Sequence, residues 1–234
     1  MTYIVDDVLA IDAGSLGLVW PLEVQRRIEH VLLSHSHIDH VASLPMFVEN
    51  VYQQGPVCPA IYGHPATLES LRRDLFNDRV WPDMVRLATE ETPFMNLVPL
   101  KSEQPLRIGK LTITPVALNH IVPTFGYIVD DGHSAVAIVS DTAPTERVWE
   151  IVNGLPHLKA VFLEACFPDR MQWLAEKSAH LTTSLFAAEC RKLARPVPVI
   201  VVHIKAAFRE EIVKELAALR LPNARIGAAG VYEF

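Results

Sequence analysis

Residues 35 to 40 read His-Ser-His-Ile-Asp-His, directly after the apolar run Val31-Leu32-Leu33 and before Val41, Leu44, Phe47 and Val48 at helical spacing. A buried strand passing into a helix through a turn crowded with imidazole and carboxylate constrains this chain more than any other stretch. In the extended part side chains alternate, so His35 and His37 point one way and can share one cation. Asp39 and His40, where the helix begins, turn toward a second. Two cations about 3.5–4 Å apart suit such a cluster. It holds no cysteine, which suits zinc and also permits manganese or iron. A lone histidine at a strand end is ordinarily a hydrogen-bonded or surface residue; the crowding is what points to metal.

The rest of the composition narrows the classes open to the chain. Its 234 residues, half of them hydrophobic, suffice for one sizeable core, so residues 1–234 are expected to form a single domain. No apolar run reaches the roughly 18 residues of a membrane span, and Met1 to Asp7 lacks the pattern of a signal peptide. A cytoplasmic location is the resulting expectation. Cys58, Cys166 and Cys190 are an odd, widely spaced set, which argues for buried thiols rather than a disulfide framework or thiolate zinc site. A formal charge of −6 argues against a nucleic acid polymer as partner and leaves a small anion at a metal open.

Strands and helices interleave along the chain. Ile4 to Ile11 reads as a hairpin around Asp6-Asp7, and His40 to Asn50 as one helix despite Pro45. Leu106 to Val116 alternates around Gly109-Lys110, and Gly126 to Val129 and Ala135 to Val139 are further strands. After residue 143 the order is helix (144–153), strand (160–163), helix (183–193), strand (197–202), helix (208–219), the pattern of βαβ units with parallel pairing.

Three residues at the ends of predicted strands can complete the ligand set: His120 after Val116 to Asn119, Asp141 after Val136 to Ser140, and His203 after Val197 to Val202. Each has a plainer reading. His120 can be a loop histidine, His203 a strand cap, and Asp141 a residue serving the next helix N-terminus. Together they give His35, His37 and His120 to one metal, Asp39, His40 and His203 to the other, and Asp141 to both.

This order of residues resembles the dinuclear ligand set of the metallo-β-lactamase fold hydrolases, over nearly the whole chain. The resemblance implies a four-layer αβ/βα sandwich with two divalent ions, zinc above all, at one end of the two sheets. Leu163-Glu164-Ala165 with His180-Leu181-Thr182 resembles the glutamate and histidine pair of the phosphodiesterase branch, to which tRNase Z belongs. Closer still, Asn77-Asp78-Arg79-Val80-Trp81-Pro82-Asp83, Asn119 to Tyr127, His180-Leu181-Thr182 and His203-Ile204-Lys205 resemble motifs of the class II 3′,5′-cyclic nucleotide phosphodiesterases and their bacterial relatives. In that group a glycine-containing strand usually precedes the hairpin. Here Met1 begins almost inside it, so the first edge strand is expected to be shortened or trimmed.

The resemblance implies hydrolysis of 3′,5′-cyclic AMP or GMP by a metal-bridging hydroxide, with Asp39, His180 and Glu164 in the catalytic set and a homodimer as the assembly. His180, kept protonated by Glu164, would assist the leaving oxygen, a step ordinarily worth about 10²–10⁴ in rate. Lys205 would lie near the phosphate. Trp81, within an apolar stretch from Leu75 to Asn96 that also holds Phe76, Met84, Phe94 and Met95, would face the base or else pack in the core. Cys166 reads as a small buried filler. Against tRNase Z, only residues 121 to 140 separate His120 from Asp141, which leaves no room for a tRNA-gripping arm. A lactonase or thioesterase of the fold, or a non-catalytic metal or nucleotide sensor, are the remaining alternatives.

Overall fold

The computed structural model describes residues 1–234, which divide into two compact units, Met1–Lys101 and Ser102–Phe234. In the first unit the strands are β1 (Tyr3–Val5), β2 (Leu9–Ile11), β3 (His30–Leu32), β4 (Ala60–Gly63) and β5 (Asn96–Pro99). They form a five-stranded sheet in chain order. β1 and β2 pair antiparallel, as the expected hairpin, and β2 through β5 pair in parallel. The turn between β1 and β2 carries Asp6 and Asp7 at positive φ, a conformation that aspartate tolerates better than most residues.

The helices of this unit are α1 (Leu22–Arg26), α2 (Ile38–Val41), α3 (Leu44–Val51), α4 (Pro65–Ser70) and α5 (Met84–Leu87). The single helix expected over His40 to Asn50 is two. Pro45 explains the break: in a continuous helix its ring would meet the carbonyl of Val41, whereas in the first turn of α3 its missing N–H costs nothing. Leu44, Phe47 and Val48 of α3 bury fully in a core with Leu16, Val31, Leu33 and Ile61. Phe76, Met84 and Met95 join that core, so three of the five large side chains considered for a wall over a substrate are interior, while Trp81 and Phe94 are only partly buried.

The second unit carries β6 (Leu106–Ile108), β7 (Leu111–Leu118), β8 (Thr124–Asp130), β9 (Ala135–Ile138), β10 (Leu158–Glu164), β11 (Val199–Val202) and β12 (Ala224–Ile226). Its seven-stranded sheet runs β12-β11-β10-β9-β8-β7-β6. The Gly109 turn between β6 and β7 has φ +56°, where glycine pays no Cβ penalty. β6 through β9 pair antiparallel; β9 through β12 are parallel, as the βαβ reading predicts. Helices α6 (Arg147–Asn153), α7 (Gln172–Ser178), α8 (Thr183–Cys190) and α9 (Arg209–Ala218) supply the connections. Buried Val161, Leu163, Val199 and Val201 pack with Trp149, Phe186 and Ile212 from three of them. The indole N–H of Trp149 is satisfied inside this core by the buried carboxylate of Glu189, at 2.6 Å.

No helix is long and apolar enough to cross a membrane. Because Phe47 is wholly buried, truncating it leaves a cavity that close-packed neighbours fill only in part. Phe47→Ala is expected to lower the unfolding free energy by about 3–5 kcal/mol, read from urea denaturation followed by circular dichroism.

Candidate functional site

Parallel pairing decides where the chemistry collects. β2 and β3 are parallel neighbours, so Asp12 after β2 and Ser34-His35 after β3 emerge at the same sheet edge. Asp12 adopts φ +60°, which turns its buried carboxylate back over the edge. There it accepts from the Ser34 N–H (2.7 Å), the Ser34 hydroxyl (2.9 Å) and the His40 Nδ1–H (2.6 Å). With its proton given to Asp12, the Ser34 oxygen accepts the Nδ1–H of His35 at 2.9 Å. This network assigns the tautomers, Nδ1–H on both rings, which leaves the Nε2 of His35 and of His40 with the lone pair that could hold a cation. The His37 ring lies edge-on to His35, with centroids 4.5 Å apart, and His35 and His40 are 4.2 Å apart. Asp39 is half exposed, its Oδ2 4.0 Å from the His40 Nε2.

The loop after Asp12 holds this turn in place. The Ala13 N–H donates to the His40 carbonyl at 2.7 Å, and the Ser43 hydroxyl donates to the Ala13 carbonyl at 2.7 Å. At Gly14 an added Cβ would stand 1.9 Å from the Asp39 carbonyl oxygen, so only glycine permits the approach.

The second unit applies the same rule. β9, β10 and β11 are adjacent and parallel, and β7 shares their direction through two antiparallel pairings. Asp141, Glu164, His203 and His120 therefore all lie at the C-terminal edge of one sheet, where α/β folds place their ligands. The His203 Nε2 is 3.6 Å from the Asp141 Oδ2. The His120 Nδ1–H donates to the Ala179 carbonyl at 2.8 Å; Ala179 is the left-handed residue that ends α7. His180, the next residue, sits 5.0 Å from the His120 ring and stacks on His203 at 5.6 Å between centroids.

Glu164 is fully buried at the end of β10. One carboxylate oxygen meets the His180 Nδ1 at 2.8 Å and the Thr142 N–H at 2.8 Å, and the other accepts the Leu181 N–H at 3.1 Å. Burial first, and the charge of Asp141 second, push this carboxyl well above its usual range. A pair holding one proton more than carboxylate plus neutral imidazole carries hydrogen on the His180 Nε2 in either form. Protonated Glu164 donates to Nδ1 and leaves the proton on Nε2, and an imidazolium has both.

Lys205 opens a 3₁₀ turn over Ala206–Phe208, two residues past His203. Trp81 is partly buried against the core of the first unit, its backbone N–H donating to the Leu75 carbonyl at 3.1 Å. Of the residues read as plain, His30 meets the Tyr62 hydroxyl at 3.1 Å, His64 accepts from the Ala66 N–H, and His157 pairs with Asp130 at 2.9 Å. Sequence reasoning passed over Asp12 and Ser34, while Cys166 is the buried residue it was read to be, in a cluster with Phe167 and Ala175. An aspartate ending a short hairpin strand carries no signal of its own, since its partners arrive only through strand pairing.

The beta-lactamase superfamily domain matches residues 10–204, and the chain belongs to that family. Its fold is the metallo-β-lactamase fold. Yeast PDE1, solved unliganded, superposes with a TM-score of 0.74 at 22% identity, over 89% of this chain and 68% of that one. The 3′,5′-cyclic-nucleotide phosphodiesterase 1 of Saccharomyces cerevisiae is 26% identical over 170 residues, 62% of this chain and 46% of that protein. A Ribonuclease Z of Bradyrhizobium diazoefficiens is 23% identical over 258 residues, covering 87% of this chain and 81% of that protein. The chain thus spans about half the length of the curated cyclic-nucleotide phosphodiesterase it matches.

The donor chemistry fits divalent metal ions. Imidazoles whose Nδ1–H is held by a carboxylate, hydroxyl or carbonyl present Nε2, the arrangement metal-bound histidines adopt. Asp12 is the hub of one such arrangement. Asp12→Ala strands three buried donors and is expected to destabilise the protein by about 3–5 kcal/mol, whereas Asp12→Asn, which tolerates positive φ and keeps an acceptor oxygen, should cost clearly less in the same urea titration.

Proposed function

We propose that this chain is a dinuclear metal-dependent phosphodiesterase that hydrolyses a 3′,5′-cyclic nucleotide to the 5′-monophosphate. The observation that carries the reading is the buried Glu164–His180 pair at 2.8 Å, stacked against His203 and beside His120. A thioester expels a thiolate that leaves such a proton donor little to do, while a ribose alkoxide leaves poorly without one. His35, His37 and His120 would hold one ion, Asp39, His40 and His203 the other, and Asp141 would serve both. When bound, two such ions lower the pKa of a water and offset phosphate charge; zinc suits these nitrogen and oxygen donors.

The remaining steps belong to the protein's own side chains. Lys205, beside His203 in sequence, would pair with a phosphate oxygen and orient the diester. The oxygen of a water adds to phosphorus and releases one proton to solvent, the bond from phosphorus to O3′ breaks, the Nε2 proton of His180 passes to the departing O3′, and the Glu164–His180 pair regains a proton from solvent. Glu164 holds the ring so that Nε2 faces the leaving group and shares the charge left behind. Trp81 would stack on the base.

A tRNase Z-like activity on RNA is the second reading, favoured by the longer match to Ribonuclease Z. Counting against it, the residues between His120 and Asp141 are taken up by β8, a tight turn with Gly132 at φ +89°, and β9, which leaves no inserted arm to grip a tRNA.

Protein loaded with zinc or manganese and incubated with 3′,5′-cyclic AMP should yield 5′-AMP on chromatography, and Asp141→Ala prepared identically should not. Absence of product from protein shown to hold two metals would overturn the cyclic-nucleotide reading. His180→Ala should lose about 10²–10⁴ in kcat on cyclic AMP yet retain most activity on a nitrophenyl phosphodiester, whose leaving group needs no proton. Equal losses on the two substrates would remove His180 from the acid role.

A further inference from the structure

Cys166 follows Glu164 by two residues and has no exposed surface. Three contacts converge on it. Its N–H donates to the Leu181 carbonyl at 3.0 Å, its carbonyl accepts the Lys205 N–H at 3.4 Å, and its Sγ lies 3.5 Å from the His203 Nδ1. One residue thereby ties the ends of β10 and β11 to the segment that carries His180.

His203 needs such a tie. β11 ends at Val202, and its register with β10 ends at the Glu164–Val202 pair. The next residue, His203, turns to φ +53°, a conformation rare for residues with a side chain. The sheet therefore does not aim the imidazole; contacts on the ring must. His180 stacks on one face, the Nε2 edge looks toward Asp141, and the Nδ1 edge meets sulfur. A carboxylate at that position would crowd a third acid into a buried corner already holding Glu164 and Asp141. A neutral thiol accepts from Nδ1–H without that cost.

We infer that Cys166 is a positioning residue for His203: its sulfur holds Nδ1, and the ring is thereby set to present Nε2 to a divalent cation. This rests on the reading of His203 as a metal ligand, and the two can fail separately.

The test is zinc affinity of the full-length protein, stripped of metal and titrated against a chromophoric chelator, with unfolding midpoints measured on the same samples. His203→Ala should lose tight binding of one of two equivalents. Cys166→Ala and Cys166→Val should weaken that same equivalent by about 10–100-fold, the usual effect of removing a group that orients a metal-binding histidine. Cys166→Ser, which restores an acceptor for Nδ1, should stay close to wild type.

Stability should follow a different order, because serine is smaller than cysteine and leaves part of the space empty while valine fills it. If zinc affinity instead tracks the unfolding midpoints, with serine among the weakest, Cys166 only packs and the inference fails. It fails also if alanine and valine bind both equivalents as wild type while His203→Ala loses one. Should His203→Ala keep both, the ligand reading of His203 falls and the inference falls with it. If valine does not fold, the contrast of alanine with serine decides.

Discussion

The orientation of imidazole rings by whatever meets Nδ1 is the constraint on which the chemistry of this protein depends. A neutral imidazole has one protonated and one bare nitrogen, so engaging Nδ1–H determines which nitrogen can ligate and in which direction it points. Three histidines follow the rule with three different partners: carboxylate for His40, hydroxyl for His35 and backbone carbonyl for His120. The uniform result from unlike partners indicates that the geometry, rather than any particular partner, is what the fold maintains.

Strand direction supplies that geometry. Parallel neighbours bring their C-terminal ends to one edge, and Asp141, Glu164, His203 and His120 all leave the sheet there. His180 arrives from the connection between α7 and α8 and is held by Glu164 and by the backbone link from Cys166 to Leu181. In the first unit the backbone bonds between Ala13, His40 and Ser43 press the turn against the loop after β2, so closely that Gly14 has no room for a side chain. Strain is accepted at the same places: Asp12 and His203 both stand at positive φ where their strands end. Side chains that must be aimed into a site cannot always continue the strand that delivers them.

What could be read before any coordinates was what is local. The cluster from His35 to His40 is legible because four functional residues crowd one turn, and His120, Asp141 and His203 because each ends a recognisable apolar run. The parallel half of the second sheet follows from the alternation of helix and strand after residue 143. β4, β5, β12, α4 and α7 escaped notice because they are three to seven residues long and carry no clear periodicity. Phe76, Met84 and Met95 looked equally fit to line a pocket or fill a core, since composition does not distinguish the two, and packing placed them in the core.

The sequence by itself therefore determined the donor types, their order and the strand ends that carry them, because the hydrophobic pattern that makes a strand also marks where it stops. Only the tertiary structure decided which ring nitrogens are engaged and which are left to face the site. The Asp12–His40, Glu164–His180 and Cys166–His203 contacts join residues 28, 16 and 37 positions apart. No local pattern encodes such separations; they arise when strand pairing brings distant chain segments to one edge and burial leaves the polar groups there only one another as partners.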